Sequence, residues 1–146
     1  MPIANYTSKV SVEDSIAAIQ KHLARAGASR IMVDYEDGEP VALTFGLRLH
    51  GQDLGFRLPA KPEPILEALR RDPPKGHISK NLDQAKRAAW AIVRDWVRAQ
   101  LSLVEAEQAT LAEAMLPYML TGPQRTLYQE LEERGPSILA LTDGDT

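Results

Sequence analysis

Two hydrophobic rhythms alternate along this chain. Val12, Ile16, Ile19 and Leu23 recur at helical spacing behind Ser11-Val-Glu-Asp14. The Ser11 hydroxyl suits a free backbone N–H there, and Asp14 suits the positive start of a helix. Gly27 supplies a stop. From Ile31 the period becomes two. Ile31, Val33 and Tyr35 point one way, Met32 and Asp34 the other. Val41, Leu43, Phe45, Leu47 and Leu49 follow as a one-sided strand, and Leu54, Phe56 and Leu58 continue the same face. Turn signals at Asp37-Gly-Glu-Pro40 and Gly51-Gln-Asp53 divide these runs into a three-stranded antiparallel meander. Its second face is polar, with Thr44, Arg48, His50 and Arg57. Tyr6 to Val10 alternates weakly and reads as a short strand ahead of the first helix.

Beyond the meander the rhythm is helical again. Pro62 and Pro64 open a short helix carrying Ile65, Leu66 and Leu69. Residues 72–80, with Pro-Pro and Lys-Gly, read as a loop. Asn81, with Gln84 three positions on, caps a long helix whose pattern runs to about Leu116, where Pro117 ends it. Gly122-Pro123 starts a last helix with Leu127, Tyr128 and Leu131, closed by Gly135-Pro136. The predicted order is β-α-β-β-β-α-α-α. This is an α+β fold: a three- to four-stranded antiparallel sheet packed on helices, with the long helix at its centre. Residues 1–140 form a single domain, and 141–146 a disordered tail.

The long helix carries the most distinctive stretch, Arg87 to Gln100. At about 100° per residue, Ala88, Ile92, Val93, Trp96, Val97, Ala99, Leu103 and Val104 fill a wide apolar arc. Arg87, Arg94 and Arg98 occupy the narrow remaining side. Trp96 falls within the arc and reads as core. Trp90 falls at its margin beside Arg94 and reads as a half-buried edge residue. Basic groups beside an aromatic are what a single-stranded nucleic acid needs, since phosphates seek charge and bases a flat face.

Composition narrows the classes. The chain has 146 residues, enough for one cored domain, with 44% apolar and 25% charged side chains. It contains no cysteine, so thiol catalysis, disulfides and thiolate-bound zinc are excluded. There is neither a membrane-length apolar run nor a signal-peptide pattern at the start, so a cytoplasmic location is expected. Net charge is −3 but unevenly spread. Residues 57–98 hold ten basic and five acidic side chains, and residues 99–146 two and eight. A basic middle permits a local anion-binding surface on an acidic protein.

Conventional catalytic patterns are missing. His22, His50 and His77 lie in three different elements, and no HExxH, serine elbow or phosphate-binding glycine loop occurs. The chain reads as non-catalytic, with no cofactor and no metal. The leading expectation is a nucleic-acid-binding accessory, single-stranded DNA favoured, serving replication or recombination. Its candidate contacts are Arg48 and Arg57 on the sheet, Lys75 and Lys80 in the loop, and Lys86, Arg87, Trp90, Arg94 and Arg98 on the long helix. A continuous positive groove joining Arg48, Arg57, Lys80, Arg87 and Arg94 favours that reading. Scattered charge favours the alternative, a modulator that binds a host protein through its acidic C-terminal third with anchors such as Tyr118, Tyr128 or Arg125. Homo-oligomerisation through strand edges or helix faces is compatible with either.

Several segments together carry a resemblance: Asn5-Tyr-Thr-Ser-Lys-Val10, Gly27-Ala28, Phe56-Arg-Leu-Pro59, Ala88 to Gln100, Met115-Leu-Pro-Tyr118 and Thr126-Leu-Tyr128. In combination the chain resembles, over nearly its whole length, a group of small bacteriophage- and prophage-encoded proteins to which no activity is assigned. The resemblance implies a phage-type protein acting inside a bacterial cell and carries over no catalytic residue. The helix–three strands–helix order also resembles double-stranded-RNA-binding domains, but Pro64 to Arg71 lacks their lysine cluster at the helix start.

Overall fold

The computed structural model describes residues 3–71 and 81–135. Helix α1 (Val12–Arg25) begins as its capping residues dictate: Ser11 accepts the Asp14 N–H at 3.0 Å. Strands β1 (Arg30–Glu36), β2 (Glu39–Leu49) and β3 (Gln52–Pro59) form the antiparallel meander in the order β1-β2-β3. Both hairpins turn on two residues of positive φ, Asp37-Gly38 and His50-Gly51. This is the geometry that matches strand twist in two-residue loops. His50 therefore sits in a turn at φ 50°, not on the polar sheet face the alternation predicts.

The helices that follow are α2 (Pro62–Arg71), α3 (Leu82–Glu105) and α4 (Leu111–Met115), then a 3-10 turn at Leu116–Tyr118. A small hairpin of β4 (Leu120–Gly122) and β5 (Arg125–Thr126) leads into α5 (Leu127–Arg134). The α+β class is as expected, with three departures. Tyr6 to Val10 is not a strand. It forms turns and irregular chain, and its carbonyls serve α3: Gln84 Nε2 donates to Tyr6 O at 2.9 Å and Ser8 O at 3.0 Å. The long helix stops at Glu105, eleven residues before Leu116. Glu107 takes φ 60°, and Thr110 starts α4 in a reciprocal capping box with Glu113. Gly122-Pro123 does not start the last helix but lies at the β4–β5 turn. The helix start is Thr126, again capped reciprocally by Gln129.

The inner sheet face supplies Leu43, Phe45, Leu47, Phe56 and Leu58 to one core with Ile16, Ile19 and Leu23 of α1. Phe45 and Phe56 are register partners and stack with centroids 5.1 Å apart. From α3 come Trp90, Val97 and Leu101, and from α4 Leu111 and Met115. Alanines 85, 88, 89 and 91 are all buried, as small side chains must be where a helix is approached closely on several sides. The tryptophans thus exchange their expected places. Trp90 is 2% exposed and in the core, whereas Trp96 is only partly buried. Trp90, Val97 and Leu101 share one stripe, seven and four residues apart, and that stripe belongs to the core. Beside β3, Phe56 bridges to Met119, and a Cβ on Gly55 would lie 3.1 Å from Leu120 Cδ1. Gly55 therefore lets the β4–β5 hairpin close against the sheet.

Candidate functional site

The expected basic residues do not converge. Arg48 is exposed on β2 and pairs with Asp53 at 3.4 Å. Arg57 lies on the same face of the sheet, where Asp34 accepts from its Nε at 3.3 Å and from Thr44 at 3.2 Å. Lys86 reaches Glu39 at 3.5 Å. Arg87 donates twice to Gln84 Oε1, at 3.1 and 2.6 Å. Arg94 is half-buried against α1, donating to Ser15 at 3.2 Å and to the adjacent Asp95 at 3.1 Å. Arg98 is exposed. Trp90 is buried and offers no stacking face, which corrects its place among the contacts. Lys75 and Lys80, like His77, lie outside the described residues, as does the tail.

Two of the three stripe arginines, Arg87 and Arg94, therefore belong to a packing seam, and Arg98 alone stays exposed. The N-terminal segment crosses α3 at Gln84 and Asp95, where Asn5 Nδ2 donates to Asp95 at 2.9 Å. Burial disfavours the Asp95 carboxylate, but hydrogen bonds from Asn5 and Arg94 and the charges of Arg94 and Arg98 outweigh it. Together they hold its pKa below the ordinary 3.8. A carboxylate lowered on folding adds stability above its unfolded value, and that stability fades as pH falls through the folded value. Acidification below pH 3.8 is therefore expected to loosen the Asn5 tether, and Asp95→Asn to remove that response. The Asn5 side-chain amide signals in an NMR acid titration measure it. No change at Asn5 through that range would contradict the assignment.

Lys86 and Arg87 join Lys9 around a shallow cleft of about 390 Å³ where α1 and α3 both begin. Glu13, Glu39 and Asp83 line the same cleft, so its charge is mixed. A larger cleft, about 530 Å³, opens between the end of β3, the middle of α3 and the α4–α5 region. Its wall is mostly apolar: Leu58, Ile92, Val93, Trp96, Pro117 and Tyr118. Trp96 and Tyr118 meet edge to face with centroids 5.3 Å apart. Tyr128, 57% exposed, stands at this cleft, and Arg57 and Lys61 add positive charge.

Two of these residues, Tyr118 and Tyr128, were expected as protein-binding anchors. Trp96 and Lys61 were not expected to be site residues. Trp96 is hidden by its position within the apolar arc, and only the Met115-Leu-Pro-Tyr118 stop shortly beyond the helix hints at a partner for it. Arg125, the third expected anchor, is engaged by Glu130 at 2.7 Å and by Glu133. The Arg125 hydrogen bond lowers the Glu130 pKa against desolvation, and the charges of Arg125 and Arg134 add to it.

No family profile, curated protein or solved structure matches this chain. Among the described residues, no group of three or more histidines and carboxylates is placed to hold a metal ion. No helix there is long and apolar enough to cross a membrane.

Proposed function

We propose that this is a non-catalytic, phage-type binding protein that modulates a host protein by holding a short segment of it in the Trp96–Tyr118–Tyr128 cleft. The observation that carries the reading is the cleft itself: concave, mostly apolar and aromatic, with cationic groups on one side. Interfaces are anchored by aromatic side chains in such places. Lys61, beside an Arg57 already paired with Asp34, favours a segment joining a bulky apolar residue to a carboxylate. The paired and scattered cations elsewhere, Arg48, Lys86 and Arg94, support this reading over a phosphate-tracking groove.

Single-stranded DNA is the second reading, favoured by one observation: Arg57 and Lys61 share the cleft with three aromatics. A photo-crosslinking residue in place of Tyr128 distinguishes the two in nuclease-treated host lysate. The expected result is one discrete protein adduct from position 128, absent from a probe at Arg48 and abolished by Trp96→Ala. Labelled oligonucleotide that binds at about 50 mM salt and weakens steeply as salt rises, with no protein adduct, would replace the first reading by the second.

A further inference from the structure

Strand β1 is the open edge of the sheet. It pairs with β2 on one side, and among the described residues no strand pairs with its other side. Two of its large side chains are the most exposed hydrophobics of the sheet, Met32 at 57% and Tyr35 at 64%. Edge strands that must stay single are blunted by lysine, proline, an inward charge or a bulge. The one irregularity here, between Asp34 and Tyr35, puts the extra residue, Val41, on β2 and not on β1. β1, Arg-Ile-Met-Val-Asp-Tyr-Glu, has no lysine and no proline. Its terminal charges are opposite in sign, Arg30 at one end and Glu36 at the other, and both are exposed.

We propose that a second copy of this chain occupies the edge, with the two β1 strands antiparallel and Val33 facing Val33 across a two-fold axis. The register follows from the sequence of the strand. It sets Arg30 opposite Glu36 of the other copy, twice. It sets Ile31 opposite Tyr35, also twice, and aromatic–β-branched pairs are among the favourable cross-strand neighbours. Ile31, Val33 and Tyr35 share one face by alternation, so Tyr35, already opposite Pro40 of β2, gains a second apolar neighbour on its open side. All seven residues pair, and the two sheets join as one of six strands. The symmetry is closed, so the edge is consumed and does not propagate into fibres. The inference stands apart from the cleft, which lies beyond the other edge of the sheet.

Sedimentation of the full-length protein over a range of concentrations tests it. Twice the 16.1 kDa chain mass is expected at tens of micromolar protein. Arg30→Glu sets like charges at both ends of the paired strands and is expected to weaken the dimer about tenfold, as is Glu36→Arg. The double variant, Arg30→Glu with Glu36→Arg, restores opposite pairs and is expected to recover the dimer. Circular dichroism confirms that each variant is folded. A monomer at every concentration would overturn the proposal. So would a dimer indifferent to both single changes, or single defects that the double variant fails to rescue.

Discussion

Replacing Trp90 by alanine is expected to cost about 3–5 kcal/mol, the range for emptying a buried aromatic site. Trp90 is 2% exposed and stands in the core with Val97 and Leu101 on one stripe of α3. A small domain has only about 5–15 kcal/mol in hand, so this one change consumes a large part of it. Trp96→Ala is expected to cost distinctly less, since Trp96 is only partly buried and faces a cleft that solvent already enters. Urea unfolding of the two variants makes the comparison direct. Equal losses, or a larger loss at Trp96, would show that the tryptophans have been assigned the wrong way round.

The second large effect is expected at Gln84. Its side chain is 6% exposed and fully used: Nε2 donates to Tyr6 O and Ser8 O, and Oε1 accepts from Arg87. Gln84→Ala leaves two backbone carbonyls and a guanidinium without their partner. A buried polar group deprived of its bond costs about 1–3 kcal/mol, so a loss of about 2–3 kcal/mol is expected. The larger signature is local. Amides of residues 5–10 should lose hydrogen-exchange protection while those of β2 keep theirs. Unchanged protection of that segment would mean that Gln84 is not its fastener.

The elements that could be read from the sequence are those with one strong signal and one covered face. The meander is of this kind, because Val41 to Leu49 alternates cleanly and Asp37-Gly38 admits a two-residue turn. α1 is another, with its serine cap and single apolar stripe. The C-terminal third departs from its glycine and proline pattern because capping decides its helix starts. Thr110-x-x-Glu113 and Thr126-x-x-Gln129 are both capping boxes in the sequence, and both mark true helix starts. Pro117 and Gly122-Pro123 instead fall in a 3-10 turn and a hairpin.

α3 departs from its helical wheel because the wheel locates apolar residues but not the elements that cover them. It is packed by α1, α2 and α4, and crossed by the N-terminal segment. Its apolar arc therefore has no single centre. Arginines that look free on the wheel are held by Ser15, Gln84 and Asp95. The candidate cleft was half legible. Tyr118 and Tyr128 stood out as aromatics in a polar third, but Trp96 joins them only through the turn that ends α3 at Glu105.

The bond from Asn5 to Asp95 spans ninety residues of chain. On the ribosome, α1 and the meander can form from neighbouring sequence as soon as they emerge, whereas Asn5 has no partner until α3 has been made. The Asn5 segment is thus made well before its partner and can be seated only after α3 exists. A bulky fusion ahead of Asn5 would meet the molecule at this late step, and refolding should show a slow phase confined to that segment.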